Sequence, residues 1–364
     1  MTATDVLITG GGTGGHVFPA LALAEELVAR GYPRDQLHFV GAGRGLEATA
    51  VPAAGFAIDL LPGRGFERKV TPRSIGRNVR TVGDTLVACA RAIALVRRLR
   101  PRVVVGVGGY ASLPALVAAR VCRIPTVVHE ADAHPGLANR IAVRLGARPA
   151  VSLPGTALPG AVVTGNPIRP VIAAVRRVPV APPMVAVVGG SLGAGSLNRA
   201  ALGLYDRWRA RPDVMIHHVT GVRDYEECRT RLEALRAPGD GLRYSLVPFE
   251  EHMETIYTDA TLVVSRAGGM TAELTAVGVP SVLVPLPGAP GDHQTANANA
   301  LVAAGAAVSV ADAVLDPARL DAEVSALLGD PARCVAMADA AHRLGRPDAT
   351  ARFADLVEEV AGAR

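Results

Sequence analysis

Short apolar-rich runs recur along the chain at 6–8, 36–41, 56–61, 103–107 and 126–130, each followed by a glycine-bearing or polar loop. Between them the spacing becomes helical. After His16 the residues Val17, Leu21, Ala24 and Val28 fall on one face, and 113–121 opens another helix. The run 103–107 is apolar throughout, as expected of a strand covered on both faces. A strand at 162–164 closes this half, and the pattern restarts at 184–188. A helix follows at 196–209, then strands at 214–219, 244–247, 261–264 and 281–284, and helical segments from 316 onward, the last near 349–361. Strands alternating with helices predict an α/β chain with mostly parallel sheets and right-handed crossovers. Two halves with the same element order predict two Rossmann-like domains facing across a cleft, with ligands at the carboxyl ends of the strands. The stretch 165–170 and the proline-bearing stretch 178–183 read as a stiff linker. They divide domain 1–165 from domain 166–345.

Composition narrows the class. A chain of 364 residues fits two cores better than one. With 49% hydrophobic and 20% charged residues it is globular, not disordered. The net charge of +5 is carried almost wholly by arginine, since Lys69 is the only lysine. This scatter is ordinary solvated surface and predicts no nucleic-acid partner. Cys89, Cys122, Cys228 and Cys334 lie far apart with no CxxC pair, so they read as reduced residues without a zinc site. No leader is expected before the first turn, and the long uncharged stretches are broken by Gly and Pro well short of a membrane span.

The chemistry starts in the stretch 6–27, a strand followed by Gly10, Gly11, Gly12, Thr13, Gly14, Gly15 and His16. A strand, a turn without side chains and a helix N-terminus make an anion site, because free N–H groups and the helix dipole point at one spot. The pattern G-x-G-x-x-G is present, but the second strand ends without the acid that would hold a dinucleotide ribose, and the first acid after it is Glu47. No Gly-Lys-Ser/Thr follows, which excludes a P-loop. A turn required only for packing is the remaining alternative. A second glycine turn spans 189–195, and 265–271 is a further strand-to-helix turn able to hold a diphosphate.

The stretches GGGTGGHVFPALALAEEL, GVGGYASLPALVAA, HEADAHPGLANR, TGNPIR, GGSLGAGSLN, SRAGGMTAELTAVGVPSVLVPLP and DHQTANA occur in this order. Together they resemble the MurG family of glycosyltransferases over essentially the whole chain. These enzymes move N-acetylglucosamine from UDP onto undecaprenyl-diphosphate-linked muramoyl-pentapeptide. The resemblance implies a GT-B fold, with an N-terminal domain for the lipid-linked acceptor and a C-terminal domain for UDP-N-acetylglucosamine. It further implies a final helix, about 346–364, that returns to the first domain.

Residue by residue, the donor contacts implied by the resemblance are Thr13, Gly14, Gly15, Asp132, Arg169, Ser191, Glu250, Gly268, Gly269, Met270, Thr271, Ala272, Glu273 and Gln294. Glu273 resembles the ribose-binding carboxylate, whose two oxygens suit a diol, although an acid placed for the helix dipole is the plainer reading. Glu250 matches a uracil contact made through the backbone. Gln294 resembles the residue reading sugar hydroxyls, or it merely starts a helix. Gly11, Gly12 and Tyr110 are the acceptor-side candidates, and Tyr110 is equally a packing residue.

The implied reaction is direct displacement with inversion, needing a base and positive charge near the departing diphosphate. A placed base contributes ~10²–10⁴-fold, and hydrogen bonds to charged groups are worth roughly 1.5–3 kcal/mol each. N–H donors then serve without a metal or cofactor. His16 is the candidate base, its ordinary pKa suiting proton removal near neutrality. Binding phosphate or orienting a sugar is its alternative role, and Glu130 and Asp132 are rival bases. Two departures stand out: Asp132 replaces the family's usual asparagine, and Leu192 replaces a glutamine. A carboxylate cannot donate as an amide does, so a paralogous UDP-sugar transferase acting on another lipid or secondary metabolite is an alternative. A UDP-sugar 2-epimerase and a non-catalytic nucleotide-sugar-binding protein are others.

The stretch 73–102 carries Ile75, Val79, Val82 and Leu86 at helical spacing beside Arg73, Arg77 and Arg80, with Arg91, Arg97, Arg98 and Arg100 beyond. It reads as a basic amphipathic surface for an anionic membrane, or as a helix packed on the sheet with its arginines in water. The first reading places the protein in the cytoplasm, peripheral on the inner membrane face.

Overall fold

The computed structural model describes residues 4–43, 45–62, 72–190 and 193–362, with side chains at 72–80, 82 and 290 excepted. It divides into two compact units, Met1–Pro170 with Asp348–Arg364, and Val171–Pro347.

In the first unit the strands are β1 (Val6–Thr9), β2 (Leu37–Ala42), β3 (Ala57–Leu61), β4 (Val103–Gly106), β5 (Thr126–Glu130), β6 (Arg148–Val151) and β7 (Val162–Val163). They form one sheet in the order β3-β2-β1-β4-β5-β6-β7, and every pairing is parallel. Apolar residues run without a break in its centre because both faces are covered. Val6, Ile8, Val103 and Val105 face the helix Gly14–Ala29 and the last helix, Ala349–Gly362, whose Phe353 and Val357 share that core. Leu7 and Val104 face the opposite way, toward Ala88, Ala92 and Val96 of the helix Pro72–Leu99. The helix Gly14–Ala29 therefore buries more than the single stripe read from its spacing, since sheet and final helix both cover it.

In the second unit β8 (Met184–Val188), β9 (Met215–Val219), β10 (Arg243–Val247), β11 (Ala260–Ser265), β12 (Ser281–Leu283) and β13 (Ala307–Ser309) form a second sheet. Its order is β10-β9-β8-β11-β12-β13, again all parallel. Two strands went unread in the sequence. β6 opens Arg148-Pro149, which argues against a strand, and β13 is three residues long with an alanine for its buried end.

The stretch after the first sheet is tied down at both ends. Ile168 exchanges two hydrogen bonds with the Thr350 hydroxyl, at 3.0 and 2.7 Å. The proline-bearing stretch is not a free spacer: Val178 and Val180 N–H donate to Thr258 and Asp259 carbonyls of the second unit. The half-buried Arg177 guanidinium also caps the Gly278 and Ala260 carbonyls there.

Candidate functional site

Each sheet reverses its strand order once near its centre, between β1 and β4 and between β8 and β11. Loops leaving the carboxyl ends of such neighbouring strands diverge and open a crevice, which is where α/β sheets hold ligands. In the first unit those loops are the first glycine turn and Gly108-Gly109-Tyr110. In the second they are the glycine turn 189–195 and the turn Arg266–Gly269.

The first turn runs from Thr9 through Gly12, at φ 94°, into the helix Gly14–Ala29. His16 and Val17 N–H donate back to the Thr13 carbonyl, at 3.1 Å each. Gly14 and Gly15 open the helix, and their N–H groups have no acceptor within it. The Gly12 N–H is committed elsewhere, donating to Glu47 Oε2 at 2.8 Å. The one main-chain donor of Gly12 is thereby spent inside the fold.

Half-buried His16 sits in a pocket of bare backbone. Its Nδ1 lies 3.3 Å from the Thr13 hydroxyl. A methyl group at Gly108 would stand 2.9 Å from its ring, and one at Gly109 would stand 2.3 Å from the Gly11 carbonyl oxygen. Both glycines have positive φ, 93° and 80°. The Tyr110 ring lies over Gly12, 3.4 Å from where a Cβ there would be. Gly11, Gly12, His16 and Tyr110 are thus brought together, and Gly108 and Gly109 are support that composition alone did not single out.

Glu130, at the end of β5, is buried and accepts from three N–H donors: Asp132 N at 3.1 Å, Gly136 N at 2.8 Å and Asn139 Nδ2 at 2.9 Å. Burial pushes its carboxyl up, and the Gly136, Asn139 and Asp132 donors pull it back. These bonds tie the loop that carries Asp132 to the helix Leu137–Arg144. Neighbouring His129 is buried against Phe353, with Nε2 on the Gly165 carbonyl at 2.9 Å, and burial lowers its pKa to about 4. Arg169 lies over the Phe18 ring, 5.9 Å from its centroid, in the same unit.

In the second unit, Ser191 and Leu192 lie outside the described residues. The flanking turn closes by a Gly193 N–H to Gly190 carbonyl bond of 3.0 Å. Beneath it, buried Asn198 joins His218, the Thr220 carbonyl and Asp224 at 3.0–3.2 Å. At the end of β11, Arg266 does not reach into the turn. Its guanidinium binds Asp312 at 2.6 Å and Ser196 at 2.8 Å.

Gly268 and Gly269 lead into the helix Met270–Val277, and Thr271 N–H and hydroxyl both return to the Gly268 carbonyl, at 3.0 and 2.8 Å. Gln294 stands beside Gly268, its Oε1 accepting from Leu286 N–H at 2.9 Å and its Nε2 on the Gly268 side. That bond fixes which end of the amide is which. Glu273, in the first turn of the same helix, accepts from the Tyr257 hydroxyl at 2.6 Å. Glu250 turns its side chain onto His217, 3.3 Å away, and accepts from His252 N–H at 2.9 Å.

Comparison with known proteins adds an independent finding. Residues 6–150 match the glycosyltransferase family 28 N-terminal domain, and residues 184–360 match the C-terminal domain of that family. The chain is 42% identical, over 98% of its length and 99% of the other's, to an Alkalilimnicola ehrlichii UDP-N-acetylglucosamine–N-acetylmuramyl-(pentapeptide) pyrophosphoryl-undecaprenol N-acetylglucosamine transferase. A Desulforudis audaxviator protein of the same name is 39% identical, covering 98% of each chain. Among solved structures, that of Acinetobacter baumannii MurG superposes with a TM-score of 0.74 at 28% identity, covering 98% of this chain and 99% of that one.

Proposed function

Because the chain belongs to the MurG family of GT-B glycosyltransferases, we propose that its two sets of glycine turns divide one transfer reaction between them. The reaction moves N-acetylglucosamine from UDP-N-acetylglucosamine to the undecaprenyl-diphosphate-linked N-acetylmuramoyl-pentapeptide, a lipid intermediate of peptidoglycan synthesis. The observation that carries the division is the repeated switch point, which in each unit sets two glycine-bearing strand ends side by side.

The first unit takes the acceptor. The Gly14 and Gly15 N–H groups, with the Thr13 hydroxyl, meet negative charge at a helix N-terminus. His16 is the base. In the tautomer that gives Nδ1–H to Thr13, Nε2 takes the proton of the attacking hydroxyl. Glu130 serves by holding the Asp132 loop, not as a second base, because three N–H donors already occupy its carboxylate. Tyr110 backs the turn on which the acceptor rests.

The second unit takes the donor. The N-terminus of the helix Met270–Val277, with Gly268, Gly269, Met270, Thr271 and Ala272, meets the diphosphate, joined by Ser191. Glu273 takes the ribose hydroxyls and Gln294 those of the sugar. Glu250 meets uracil through its backbone, which its side chain permits by turning away to His217. Arg169 and Asp132, which belong to the first unit, are proposed as donor contacts as well. The acceptor oxygen attacks the anomeric carbon, the bond to the UDP oxygen breaks, and the configuration inverts.

Among the described residues no helix is long and apolar enough to cross a membrane. We place the protein on the inner, anionic face of the membrane, supported by exposed Leu86 and Val87 with exposed Arg91 on the helix Pro72–Leu99. UDP release tests the reading, measured from a panel of UDP-sugars with and without the lipid-linked acceptor. Release that needs both UDP-N-acetylglucosamine and acceptor supports it. Turnover without acceptor points instead to an epimerase, and no turnover in any arm to a binding protein.

A further inference from the structure

We propose that Tyr257 is a positioning residue for donor recognition: its buried phenol aims the Glu273 carboxylate at the ribose diol. This rests on the ribose role given to Glu273 above.

Tyr257 lies on the short helix Met253–Asp259, just before β11, and none of its surface reaches solvent. A phenol taken fully out of water must place its hydrogen, since an unpaired buried donor is costly. The hydrogen goes to Glu273 Oε2, at 2.6 Å, within the short range of O–H donors to an ionised oxygen.

This bond separates the two readings of Glu273. An acid that merely complements a helix dipole acts by distance and needs no fixed direction. A glutamate that must meet two vicinal hydroxyls does, and it has three side-chain torsions to fix. A carboxylate has about four lone-pair positions. The phenol occupies one of them on Oε2 and sets the plane of the group. The rotational freedom is then surrendered before the ligand arrives, which raises affinity by lowering the ordering cost of binding.

The test is calorimetric binding of UDP and of 2′,3′-dideoxyuridine diphosphate to the full chain. The variants are Tyr257→Phe, Glu273→Ala and the pair together. Phenylalanine keeps the buried ring and removes only the hydroxyl. The expected result is a UDP affinity about fivefold weaker in Tyr257→Phe, with the dideoxy ligand bound as in the native chain. In the Glu273→Ala background the second change adds nothing, a readout that does not depend on the stability of Tyr257→Phe alone. Equal weakening toward both ligands would mean that the phenol only supports the fold, and overturns the proposal. Unchanged UDP binding overturns it too. If the native chain fails to prefer UDP over the dideoxy ligand, the ribose role of Glu273 falls, and this inference with it.

Discussion

The carboxylate of Glu47 accepts the Gly12 N–H at 2.8 Å from beneath the first glycine turn. Its other oxygen accepts the Ala42 N–H at 3.0 Å, and the residue is only 1% exposed. Glycines surround it because nothing larger fits: a Cβ at Gly45 would stand 1.9 Å from one carboxylate oxygen, and a Cβ at Gly11 would stand 2.1 Å from the other. Part of the glycine richness of this region therefore serves a buried acid and not a ligand.

Glu47→Ala strands two N–H donors in the interior, each costing roughly 1–3 kcal/mol, and should lower stability by about 2 kcal/mol or more in urea unfolding. Gly45→Ala should be destabilising as well, since its methyl group displaces the carboxylate from both donors. A Gly45→Ala protein as stable as the native chain would show that the acid does not hold the turn.

The same pair marks the boundary of what the sequence disclosed. The strand ends, the glycine turns and His16 were legible because apolar runs and glycine clusters are local signals. The acid expected directly at the end of β2 was absent, and that absence argued against a dinucleotide site. Glu47, five residues farther on, instead reaches the turn through the parallel pairing of β1 with β2, where Thr9 stands opposite Val40. No spacing rule reads a contact between residues 12 and 47. Gly108, Gly109 and Tyr257 meet the candidate residues His16, Gly11 and Glu273 through the same kind of long-range neighbourhood. β6 escaped because a proline sits in it, and of the apolar residues read along the helix Pro72–Leu99, Ile75, Val79 and Val82 have side chains outside the described residues while Leu86 stands on the exposed side. That residue is 67% exposed, while Ala88, Ala92 and Val96 face the sheet.

His16 gives the sharpest kinetic expectation. As the proposed base it would contribute about 10²–10⁴-fold to turnover, and it lies in the first unit, outside the donor contacts proposed for the second. His16→Ala should therefore lower kcat by that order while leaving UDP affinity within about twofold of native. Gly108→Ala should imitate part of the loss, because its methyl group would press on the imidazole at 2.9 Å. Substantial turnover in His16→Ala would remove the base assignment.

The membrane reading turns on charge as well as apolar exposure. Arg91 and Arg97 are exposed on the helix Pro72–Leu99, whereas Arg98 is partnered by Asp59 at 3.2 Å. Co-sedimentation should be stronger with vesicles rich in phosphatidylglycerol than with neutral phosphatidylcholine. The excess should fade as salt shortens the Debye length from about 10 Å at 0.1 M toward 3 Å at 1 M. Equal binding to both vesicles at low salt would leave no electrostatic docking to explain.

Acid should weaken both units through one buried imidazole in each. Burial lowers His129 to about 4 and His218 to about 3. Burial keeps His129 neutral against the pull of the bond its Nε2 donates to the Gly165 carbonyl, while His218 donates to Asn198 Oδ1 and accepts from the Tyr244 hydroxyl, a pairing that only the neutral ring can make. In the unfolded chain an imidazole takes up its proton near pH 6.5. Their stabilisation is thus complete above that value and drains away as pH falls toward 4 for His129 and 3 for His218. For His129 the whole loss is about 3 kcal/mol. Exposed His252, raised by its bond to Glu254, runs the opposite way, but solvent screens it. Thermal melting should therefore fall between pH 6.5 and 5, above the range where ordinary carboxylates titrate. His218→Gln should melt lower at pH 7 yet lose less on acidification. A melting temperature flat across that window would mean that the two imidazoles are not held neutral by the fold.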